Sequence, residues 1–179
     1  LLPPTIAVSD WFCVGLLWAK VAPEGFKAFC LAELTRTDLT PKPMELILAG
    51  LSAQLFSDDL SFIEDLANYH LRLTKTLDPQ EKGLLCWPNA NSPLLPEVQA
   101  AWIWSAEQLL NCKLSSSQVE QLIQLKEVYV YETDRQLWNK KKSTYEELPS
   151  ITVTETLTPA NNALAMLAGI PDQDRAEDI

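Results

Sequence analysis

The chain is short of the residues that do chemistry. Its 179 residues include one histidine, five glycines, two methionines and four cysteines. A single imidazole confines any histidine-based site to His70. The glycines build neither a P-loop nor a dinucleotide-binding turn, which excludes those two routes to nucleotide binding. No G-x-S-x-G turn supplies a nucleophile elbow. Cys13, Cys30, Cys86 and Cys112 are separated by 17, 56 and 26 residues. Without a C-x-x-C pair they indicate neither a zinc knuckle nor a redox dithiol. Each stands in apolar company and reads as a small buried hydrophobe. A chain of this length can form a core without disulfides, so the expected setting is reducing and cytoplasmic.

Positive charge is also scarce. Fourteen basic residues stand against 24 acidic ones, a formal net charge of -10. The resulting field repels phosphate backbones and anionic membranes. The local basic run Lys140-Lys141-Lys142, with Arg135 nearby, is too narrow a footprint to reverse that, so nucleic acid is disfavoured as a partner. Long apolar runs are missing too. The N-terminal segment reaches only eight uninterrupted apolar residues, Phe12 to Ala19. A membrane-spanning helix needs roughly 20. That segment lacks a basic start and is interrupted by Asp10, so it does not read as an export signal, and membrane insertion is disfavoured.

What is present is material for a core: 47% apolar residues, with six tryptophans and five phenylalanines. The apolar residues recur at helical spacing through most of the chain. Trp11, Val14 and Trp18 mark a first helix to about Lys20, and Phe26, Phe29 and Cys30 a second ending near Thr35. Leu48, Leu51 and Leu55 mark a third, from about Pro43 to Phe56, in which Gly50 points to a close helix crossing. Ser57 is the expected cap of a fourth, lined by Phe62, Leu66, Tyr69 and Leu73. A fifth opens at Ser92 or near Pro96 and runs to about Cys112. A sixth starts at a capping box, Ser117 with Glu120 or Ser115 with Gln118, and continues toward Trp138. The competing reading of residues 127–132 as a strand loses to the regular apolar spacing on both sides. Thr158-Pro159 opens a short last helix ending near Gly169.

The fold expected is therefore mainly α, an irregular bundle or array of about seven helices with a short extended C-terminal arm. Residues 1–149 form the helical domain, with two sub-bundles meeting near 84–96. Residues 150–179 comprise the arm, a short helix and a mobile acidic tail. That last segment can complete its own domain or reach over a partner.

Candidate sites are few. His70 is the weak catalytic candidate, with Glu64 and Asp65 as the acidic residues before it. They lie six and five positions upstream, off the three- or four-residue spacing that would share its helix face. No metal or cofactor is called for: the Glu-x-x-His pattern is missing, with Ala67 at the relevant position, and the acidic residues lack calcium-loop spacing. Candidates for partner binding are Trp87, in a loop before Pro88, together with Trp104, Tyr145, Leu164 and Leu167. Trp102 and Trp104 are about 200° apart on a helix, so one can join the core while the other points outward or into a second interface. The balance favours a protein-binding adaptor, assembly factor or regulatory subunit whose partner is another protein or its own subunit. The alternatives are a small helical hydrolase or lyase with a site around His70, and a non-catalytic fragment of a larger enzyme.

Overall fold

The computed structural model describes residues 8–34, 43–78, 82–86, 96–146 and 159–178. Among them are eight helices and one two-stranded hairpin. Trp87, the expected extended arm at 150–157 and most of the expected sub-bundle junction lie outside the described residues.

Two helices form the centre. α3 (Pro43–Leu55) is buried without interruption from Leu46 to Ala53, and α5 (Pro96–Leu110) from Val98 to Ala106. A helix apolar on all sides belongs inside a bundle rather than on its face. The two pack closely because Gly50 leaves room for an indole: a Cβ built there would lie 2.4 Å from the Trp104 ring. Of the two placements open to Trp104, outward or into a second interface, the second is the one found, and the interface is with α3 of the same chain. Trp102 and Trp104 do leave α5 on different sides, but both sides face protein.

The other helices surround this pair. α1 (Val8–Val21), α2 (Pro23–Leu34) and α4 (Leu60–Leu77) pack on α3, while α6 (Ser116–Leu137) and α7 (Pro159–Leu167) pack on α5. α4 also contacts α5 and α6. The cap of α4 is Asp59 rather than Ser57: its carboxylate accepts from the Phe62 amide at 3.1 Å. Of the two capping-box registers, Ser115 with Gln118 is the one used at the start of α6. That helix runs unbroken through the Val-Tyr-Val-Tyr segment, with Tyr129 in the core and Tyr131 in solvent.

Past α6 the chain turns in a hairpin that the apolar spacing did not reveal. β1 (Trp138–Asn139) pairs antiparallel with β2 (Thr144–Tyr145), and the lysine run forms the connecting turn. Asn162 of α7 clamps it: its side-chain oxygen accepts from the Thr144 hydroxyl and the Tyr145 amide, and its amide donates to the Ser143 carbonyl. Ser143 sits at φ 49°, a left-handed conformation that these bonds help to hold. α7 ends at Gly169, φ 66°, where the Ile170 amide reaches back to the Ala165 carbonyl in a Schellman-type stop. The acidic tail expected to be mobile contains a short helix, α8 (Gln173–Asp178). Arg175 ties it down by pairing with Asp134 and lying over the Trp138 ring. Leu164, Ala165, Ala168 and Ile170 enter the common core.

Candidate functional site

His70 is part of the core. Its ring is fully buried and stacks on Trp102, with 4.8 Å between centroids, and Trp102 stacks in turn on Tyr129 at 4.4 Å. This three-ring pile joins α4, α5 and α6. The Trp102 indole donates to the Thr74 hydroxyl, which donates to the His70 carbonyl. Neither His70 ring nitrogen makes a hydrogen bond of ordinary geometry. Burial pushes its pKa down to about 3, and the nearby Trp102 backbone offsets only part of that effect. The ring is therefore neutral at physiological pH and has no opening through which to meet a substrate.

The carboxylates expected to serve His70 do not reach it. Glu64 and Asp65 are exposed on α4 while the imidazole points inward. Glu64 instead lines an open depression of about 470 Å³ between α4 and the start of α6, with Asn68, Arg72, Lys75, Ser117 and Gln121. Asn68 and Gln118 are hydrogen-bonded across its two helices. Among the described residues no three His, Cys, Asp or Glu side chains gather to hold a metal ion.

Other polar groups secure the fold. The Asp78 carboxylate, at the end of α4, accepts from the Lys82 and Gly83 amides and from the Tyr129 hydroxyl. Gln99 pairs through its side chain with both the amide and the carbonyl of Leu85. The Cys30 thiol accepts from Ser52, and burial raises its pKa to about 11, which keeps it protonated and inert.

Of the five partner-binding candidates, Trp104, Tyr145 and Leu164 are buried in the chain's own core and are corrected on that ground. Tyr145 donates to Asp134 from within the hairpin, and Leu164 is on the inner face of α7. Aromatic and leucine content identified residues worth burying but could not say that the burying surface is intramolecular. Leu167 is half exposed, beside Met166. Trp87 lies outside the described residues.

The most unusual surface was not singled out from sequence. α1 and α2 are nearly one helix. The Ala22 amide bonds to the Trp18 carbonyl and the Phe26 amide to the Ala22 carbonyl, while Pro23, without an amide proton, marks the bend. Trp18 fills the inside of the bend against Phe26 and Phe29, with ring centroids 5.8 and 5.0 Å away. Gly15, Ala19, Phe26 and Cys30 face the core. The opposite face should carry charge. Instead it exposes Leu17 at 65%, Val21 at 83% and Leu31 at 36%, with Ala22, Pro23, Gly25, Ala28 and Ala32 also exposed. Lys20 and Glu24 are the only charges among these exposed positions. Leu17, Val21, Glu24, Ala28 and Leu31 follow one another at intervals of four, three, four and three residues, the spacing of a helix-packing seam. That spacing was readable in the sequence, but Pro23 in its middle divides it into two unrelated helices.

Comparison with protein-family models, curated proteins and solved structures finds no match to this chain. Among the described residues no helix is long and apolar enough to cross a membrane.

Proposed function

We propose that this chain is a protein-binding domain, an adaptor, assembly factor or regulatory subunit, that works through the outer face of α1 and α2. The supporting observation is the placement of large aliphatic side chains on the solvent side of a bent helix, opposite its core-facing side. An exposed leucine alone means little, but an apolar face with only two charges is the usual mark of a surface that meets another protein. The sealed environment of His70 weighs against the hydrolase or lyase alternative, since a catalytic imidazole must reach its substrate.

The reading is tested by placing a photo-crosslinking amino acid at position 21 in the native source, with position 120 on the polar side of α6 as control. A protein adduct at 21 and none at 120 is expected. Equal labelling, or none at 21, refutes the assignment of this face.

A further inference from the structure

We propose that the outer face of α1 and α2 pairs with the same face of a second copy of this chain, antiparallel about a two-fold axis near Ala22. The proposal rests on the binding reading above and names its partner. The argument comes from the order of residues along the seam. A two-fold axis makes residue i meet residue j and j meet i. Centred near Ala22, it sets Lys20 of one copy beside Glu24 of the other, twice.

The charges point the same way. Glu24 occupies a seam position that would otherwise be apolar, and a carboxylate there is costly to cover without a cation. Neither Lys20 nor Glu24 has an ion-pair partner among the described residues, and both are exposed. A second copy supplies each with its opposite at the required place. An anionic membrane surface fits less well, because the chain's net charge of -10 opposes it.

The test is sedimentation equilibrium of the purified full chain at up to about 100 μM, well above a micromolar dissociation constant. The wild type is expected to sediment as a dimer. Val21→Glu, at an exposed position, should give a monomer with unchanged circular dichroism. Lys20→Glu should weaken association about tenfold or more, and adding Glu24→Lys should restore it. A wild type that stays monomeric overturns the proposal. So does a dimer that survives Val21→Glu, or a charge reversal that fails to recover. The crosslinking experiment separates this failure from failure of the binding reading. An adduct at position 21 to a different protein, with a monomeric purified chain, overturns the second-copy partner alone, whereas no adduct and no dimer overturn both.

Discussion

Acid should unfold this protein earlier than its carboxylates require, because of His70. The ring is neutral and fully buried, with a native pKa of about 3 against an ordinary value of 6.5. Above pH 6.5 neither the native nor the unfolded state binds this proton, and the histidine leaves stability unchanged. As pH falls below 6.5 the unfolded chain takes up the proton while the native core refuses it, so stability drops until about pH 3. Each unit is worth about 1.4 kcal/mol. The loss is therefore about 3 kcal/mol by pH 4.5 and approaches about 5 kcal/mol at the lower end of the window. Native stability of a domain is typically about 5–15 kcal/mol, so this one ring can account for much of the acid sensitivity.

The measurement is urea unfolding, followed by circular dichroism, at half-unit steps from pH 7.5 to 4.5. His70→Leu is the comparison. It removes the titrating group together with two unbonded nitrogens, a change that can be nearly neutral at pH 7 when the cavity is filled. Asp59 is held below the usual carboxylate range by Lys27, and Glu132 by Arg135 and Gln136; at Glu146 burial pushes the other way, but Lys142 and Asn139 together outweigh it. Their contribution is present above their ordinary pKa and is lost as pH falls through the carboxylate range, in wild type and variant alike. The difference between the two profiles therefore isolates His70. Parallel profiles between pH 6.5 and 4.5 would refute the reasoning, since they would mean that the native ring is as easily protonated as the unfolded one.

Three further outcomes follow from the packing. Gly50→Ala drives a Cβ to 2.4 Å from Trp104 and should cost about 1–3 kcal/mol in urea unfolding; the loss should shrink in a Trp104→Phe background, and additivity would show that the two sites do not touch. Tyr129→Phe leaves Asp78 with the Lys82 and Gly83 amides but without its hydroxyl donor, and should lower stability by about 1–2 kcal/mol; an unchanged melting temperature would show that the bond is not formed. Deleting residues 159–178 removes Leu164, Ala165, Ala168 and Ile170 from the core, with Asn162 and Arg175 from the hairpin, and should abolish the near-ultraviolet signal of packed aromatics; a truncated chain that keeps a native spectrum would make that segment an external arm.

The helices were legible because their signals are local. Periodic apolar residues, Pro96 at the start of α5, and Ser115 with Gln118 at the start of α6 each act within one or two turns. Gly50 was legible as a crossing point because a glycine inside a strong helix has a cost that close approach can repay. The hairpin was not, since two strands of two residues have no period to detect, and what stabilises them is Asn162, 17 residues away from Tyr145. The short helix in the tail was not legible for the same reason: its composition is polar, but Arg175 finds Asp134 and Trp138 only after the chain has folded back.

The sequence by itself determined a mainly helical protein with ample core material, an acidic surface and no local motif for a metal, a nucleotide or a nucleophile. Those properties follow from composition and from spacing within single helices. Only the tertiary structure decided which faces meet. It sealed His70 against Trp102, put Trp104 in the slot opened by Gly50, and left Leu17, Val21 and Leu31 in water. The physical reason is that a helical period says which residues share a face, while burial depends on whether another element covers that face. α5 is covered all round, so its second tryptophan has no outside. The outer side of α1 and α2 is covered by nothing within the described chain, so the same kind of apolar stripe becomes a surface.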